Sequence, residues 1–83
     1  MHRLEIKKKV NHILSILLER KISENDEVVF SQDGAWHSIK LIELVYLLEE
    51  TFQITLNAEQ VLFINSNDIV KCVENHLQNR LDF

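Results

Sequence analysis

At 83 residues the chain reads as one domain, and a domain this short buries only about 60% of the surface its unfolded chain exposes, so every element must contribute to the core. A single cysteine, Cys72, excludes an internal disulfide, no Cys/His grouping has zinc-site spacing, and one glycine with no proline excludes the turn-rich sandwiches and barrels, which leaves helices. The formal charge of −4 is uneven: residues 1–21 carry six Lys/Arg against two Glu, whereas residues 22–59 carry eight Asp/Glu against Lys40 alone, an acidic surface that argues against nucleic acid and either marks a face for partners with basic patches or merely keeps a small protein soluble.

No apolar run approaches the roughly 18–20 residues of a membrane span. The opening "MHRLEIKKKVNHILSILLERK" mixes charges through its apolar positions, unlike a signal peptide, so the expectation is a soluble, cytoplasmic protein. In that segment Ile6, Val10, Ile13, Leu14 and Leu17 recur at spacings of three and four, which predicts a helix from about residue 3 to 20. From Ile22 to His37 the pattern lapses into "ISENDEVVFSQDGAWH", a long connection whose Val28, Val29 and Phe30 are expected to tuck under the bundle as a hydrophobic plug.

Ser38 stands immediately before the next apolar period, a favoured N-cap position, and predicts a second helix to about Phe52. Leu41, Leu44, Val45, Leu48 and Phe52 form its core stripe. Ile39, Glu43, Tyr46 and Glu50, at i, i+4, i+7 and i+11, form another that faces away from the core, either a partner-facing stripe on an acidic helix or a plain solvated face. After an extended "QITL", Asn57 with Gln60 three residues on predicts a short capped helix over residues 58–63. "NSND" supplies the next cap, and Ile69, Val70, Val73 and Leu77 predict a final helix of about residues 68–80, with Arg80 near its negative end. The expected fold is all-α: a small four-helix bundle with three longer helices, one short one and a long loop between the first two, residues 1–83 forming one domain.

Little in this pattern is catalytic. His37 and Ser38 are adjacent, and neighbours at a helix start project in different directions, so they do not read as a nucleophile–base pair. His2, His12 and His76 show no ligand spacing and read as surface histidines, and no metal site is expected. Cys72 reads as a small buried hydrophobe on the last helix, and no phosphate-cradling Gly-rich loop is present. The chain is not expected to be an enzyme.

The run from Ser38, "SIKLIELVYLLEETFQITL", resembles the acyl and peptidyl carrier proteins: a serine, an aliphatic residue, then Glu-Leu-Val, Leu-Glu-Glu, Phe and Ile/Leu at the family's offsets, within a likeness that covers nearly the whole chain. The resemblance implies a four-helix domain of the acyl-carrier type that bears covalent 4′-phosphopantetheine on Ser38, with recognition positions at Ile39, Glu43, Tyr46, Glu49 and Glu50. Four of those five are the outward stripe read from periodicity. It implies as partners a phosphopantetheinyl transferase using Mg²⁺, and acyl- or aminoacyl-loading and condensing enzymes with basic docking surfaces. The chain would be a stand-alone, monomeric carrier in fatty-acid, polyketide or nonribosomal-peptide-type biosynthesis, its cargo held as a thioester.

The departures are local. Acyl carriers have Gly-x-Asp-Ser, whereas here Trp36-His37 precede Ser38 and Gly34 sits one place early. His-Ser looks like the Gly-Gly-His-Ser of peptidyl carriers, as does "VLF" at Val61 to Phe63, while the Glu-rich second helix looks like acyl carriers. Acyl and aminoacyl cargo both remain open, and Trp36 beside the attachment point restricts which partner can approach. The alternative is a carrier-like protein-interaction domain that is not phosphopantetheinylated, in which Ser38 is only an N-cap and Trp36 and His37 belong to a protein interface.

Overall fold

The computed structural model of the chain describes residues 2–57 and 63–81, the last three as backbone alone. Among the described residues there are three α-helices, α1 (Arg3–Leu18), α2 (Ser38–Phe52) and α3 (Ser66–Leu81), one 3-10 turn (Phe30–Gln32) and no strand. The expected short helix over residues 58–63 falls almost entirely outside the described residues, so the all-α class holds and the count of four helices does not rest on this structure.

α1 forms where its period requires and turns Ile6, Val10, Ile13, Leu14, Leu17 and Leu18 into the core. It ends two residues short of the expected limit because Glu19 enters the left-handed region (φ 55°), and its N–H turns back to the Ser15 carbonyl. The Arg20 N–H reaches the same carbonyl at 3.2 Å. α2 closes in the same way: Gln53 (φ 55°) and Ile54 both donate to the Glu49 carbonyl. Its buried stripe is Leu44, Val45, Leu48 and Phe52, while Leu41, in the first turns of the helix, is only half-buried.

α3 begins at residue 66 rather than 68, because the cap is Asn65. The Asn65 side-chain carbonyl accepts the Asp68 N–H at 3.1 Å, and the Asp68 carboxylate accepts in return from the amides of Asn65 (3.2 Å) and Ile64 (2.9 Å). This is a capping box built from Asn and Asp. Ile69, Val70 and Val73 are buried and Leu77 is half-buried against the core. The side chain of Arg80 lies outside the described residues.

Both α2 and α3 pack against α1, and the connection fills what the helices leave open. Val28 and Phe30 are buried and Val29 is half-buried, so the expected plug is present and alternates in and out. Its polar backbone is satisfied by a short antiparallel stitch to the start of α3: the Ser66 N–H donates to the Val28 carbonyl (2.9 Å), the Phe30 N–H to the Ile64 carbonyl (3.1 Å), and the Val28 N–H to the buried Ser66 hydroxyl (3.0 Å). On the other side, Asn11 of α1 is 2% exposed and its amide donates to the carbonyls of Ser23 (2.8 Å) and Asp26 (3.4 Å). Removing the Ser66 hydroxyl leaves the Val28 amide buried without a partner. Ser66→Ala is therefore expected to lower stability by about 1–3 kcal/mol, read as the shift in a urea unfolding midpoint; an unchanged midpoint would show that water replaces the hydroxyl.

Candidate functional site

The segment before α2 is held by one carboxylate. Asp33 is ion-paired with Arg20, just past the end of α1; its Oδ1 accepts the Ala35 N–H at 3.0 Å, and its carbonyl accepts the Trp36 N–H at 3.2 Å. The Asp33 side chain is only 8% exposed. Trp36 then lies on Phe30 with ring centroids 4.2 Å apart and planes 27° from parallel. Half-buried in this stack, the indole is part of the fold's edge. His37 follows, exposed and extended (φ −135°, ψ 160°).

That extended residue corrects the expected cap. A capping side chain belongs to the last non-helical residue, which is His37, and Ser38 already has helical geometry as the first residue of α2. The His37 side chain makes no cap hydrogen bond. The Lys40 N–H bonds the His37 carbonyl at 2.9 Å, and among the described residues the amides of Ser38 and Ile39 and the Ser38 hydroxyl have no partner. Ser38 is exposed. No acidic residue occupies the first turn of α2, so its positive end is uncompensated by the helix's own side chains.

Down the outer face of α2, Ile39 is 67% and Tyr46 62% exposed, with Glu43 and Glu50 exposed beside them. These four share a face running away from Ser38. Neither glutamate forms an ion pair among the described residues, so the face is negative. Glu49 is separate: half-buried, its Oε2 accepts the Leu56 N–H at 2.9 Å and holds the link after α2. Ile42, which the four-residue stripe leaves out, is 64% exposed, three residues after Ile39 and four before Tyr46. The same helical projection that selects Ile39 and Tyr46 selects it, and the three make an apolar strip between the carboxylates.

Elsewhere, Cys72 is half-buried rather than buried; it borders an open groove with Phe63, Ile64, Lys71 and His76, and burial pushes its thiol up from the ordinary value, so it stays protonated at neutral pH. His76 Nδ1 lies 2.9 Å from the Cys72 carbonyl and 3.8 Å from its sulfur. Among the described residues no three metal-ligating side chains gather, and no helix is long and apolar enough to cross a membrane. No family model, curated protein or solved structure matches the chain.

Gly34 has no left-handed φ, and a Cβ added there would meet nothing within 4 Å. The only glycine is thus no geometric requirement of the approach to Ser38. Gly34→Ala is expected to raise stability by about 0.4–1 kcal/mol through the unfolded chain, measured by thermal unfolding; destabilisation would show that the loop needs a backbone conformation only glycine supplies.

Proposed function

We propose that the chain is a carrier protein of the acyl or peptidyl carrier type, in which Ser38 is the attachment point for 4′-phosphopantetheine and α2 is the face shown to partner enzymes. The observation that carries this reading is the hydroxyl of Ser38: exposed, unused by any cap, and placed at the end of a helix whose outer strip leads away from it. The residues present fit the group. A phosphodiester on Ser38 would stand beside the unpartnered amides of Ser38 and Ile39 at the positive end of α2, with no first-turn carboxylate to repel it. When bound, the group supplies a flexible arm ending in a thiol that holds cargo as a thioester.

The chain's own residues do the rest passively. Ser38 presents its hydroxyl to a phosphopantetheinyl transferase, which with Mg²⁺ activates it; no hydrogen bond links the neighbouring His37 side chain to the start of the helix, so the activation is the transferase's. Glu43 and Glu50 attract a basic docking surface, and Ile39, Ile42 and Tyr46 offer it apolar contact. Tethering raises the effective concentration of cargo at each partner's site, so docking itself need only be transient. In this reading the chain acts as a soluble monomer in the cytoplasm and serves loading and condensing enzymes.

The apolar strip also supports the second reading, an interaction module that carries no modification. Trp36 does not favour it, because its ring is engaged with Phe30. Intact-protein mass spectrometry separates the two after incubation with coenzyme A, Mg²⁺ and a broad-specificity phosphopantetheinyl transferase. The carrier reading expects a gain of one phosphopantetheine on the peptide containing Ser38 and none in Ser38→Ala. That variant should keep its helicity and stay within about 0.5 kcal/mol of the parent, since the hydroxyl holds nothing in the fold. No gain on the unaltered chain, repeated with the transferase from its own source, would assign the α2 face to the interaction module.

A further inference from the structure

Lys40 is the only cation between residues 22 and 59, and it sits in the first turn of α2, where a positive charge opposes the helix dipole. Its side chain does not stay there. Nζ reaches back to α1 and donates to the Leu17 carbonyl at 2.7 Å, one of the carbonyls that the end of α1 leaves without an intrahelical partner. The charge that is misplaced on its own helix is thereby well placed on another, at the negative C-terminal end of α1. From the opposite side of Ser38, Asp33 is tied to Arg20, two residues past Leu18. The chain on both sides of Ser38, five residues before and two after, is fastened to the same end of α1.

We infer that Lys40 is a positioning residue for Ser38: by capping α1 it fixes the first turn of α2, and so the direction in which the Ser38 hydroxyl meets a transferase. The inference rests on the reading of Ser38 as the attachment point. α2 has no side-chain N-cap and no acidic first turn, so its own sequence does little to hold that end closed. The hydrogen bond from Lys40 is charge-assisted and part-buried, the type whose loss is felt most. Without it the first turn frays, and only the fraction of molecules with the turn formed is competent to dock, which raises the apparent KM in proportion. The turn-over of a docked molecule is untouched, because Lys40 is engaged with α1 and contacts no reacting atom. Drawing Lys40 inward also leaves the outer face of α2 with carboxylates as its only charges.

The experiment compares the unaltered chain, Lys40→Met and Lys40→Arg in two measurements: steady-state loading by a broad-specificity phosphopantetheinyl transferase with coenzyme A and Mg²⁺, and amide hydrogen exchange resolved by residue. Lys40→Met is expected to lower kcat/KM for loading by about tenfold, through KM with kcat within about twofold. It is also expected to speed exchange at amides 40–43 while leaving Ile69 and Val70 of α3 as they were. Lys40→Arg, which can still donate to the Leu17 carbonyl, restores both. If the unaltered chain is loaded but Lys40→Met is loaded equally well, the positioning role is overturned and the reading of Ser38 stands. Exchange that rises equally in α3 overturns it too, since that would be general loosening. If the unaltered chain takes no phosphopantetheine, it is the reading of Ser38 that fails, and the positioning role falls with it.

Discussion

The apolar stripe of α1 is the surface on which the other elements depend. Ile6, Val10 and Leu14 are at most 1% exposed, and α2 and α3 both pack onto that helix. A domain of this size has no second layer of core to fall back on. The spaces between the helices are therefore closed by chain that is not helical, and such chain brings backbone amides and carbonyls that need partners in the interior. Ser66 and Asn11 supply them: one hydroxyl and one carboxamide, each buried, bind the connection to α3 and to α1. The plug of Val28 and Phe30 stays in place because these polar groups permit its backbone to be buried with it.

The end of α1 carries a second duty. Helix C-termini expose carbonyls and a partial negative charge, and a compact bundle must neutralise them with whatever neighbours provide. Here Glu19 closes the turn by taking a left-handed conformation, and Lys40 is brought in from the start of α2. Arg20 continues past the turn to hold Asp33. An element chosen for its packing thus also sets where the start of α2 lies, and the candidate site inherits its geometry from the way α1 ends. Trp36 belongs to the same arrangement: stacked on Phe30, it joins the last residues before α2 to the plug and so to the core.

Periodicity makes the helices legible. The three- and four-residue spacings place α1 and α2 within two residues, because burying one face of a helix is a constraint that every turn must obey. Helix ends are less legible, as "NSND" shows: four consecutive residues can all cap, and which one does is decided by the pairing of Asn65 with Asp68 and by the use of Ser66 elsewhere. At Ser38 the residue type is right for a cap, yet the extended residue is His37, a one-position difference in backbone conformation that no spacing reveals. The outer strip of Ile39, Glu43, Tyr46 and Glu50 is exposed as its spacing predicts, and Ile42 completes it by the same geometry. Glu49 and Lys40 are different. Each lies beside that strip in sequence and is drawn off it by a partner that only the tertiary fold provides, the Leu56 amide for one and the Leu17 carbonyl for the other.

The exposure of Ile39, Ile42 and Tyr46 bears on what α2 is for. In a chain this short of core, leaving a large aliphatic side chain in water forgoes about 1.5–3 kcal/mol relative to burying it, and α2 does so with two isoleucines spaced on one face. Rotating the helix to bury them would expose Leu44, Val45, Leu48 and Phe52, which are more numerous, already buried and, Val45 apart, part of the common core, so the present orientation is the better one for the chain alone. The strip is then a cost that folding does not recover. Glu43 and Glu50 flank it with like charge, which opposes the meeting of two such faces and favours a surface that brings cations together with an apolar groove. That composition is what the proposed docking role of α2 would use, and the strip begins at the end of the helix where Ser38 stands.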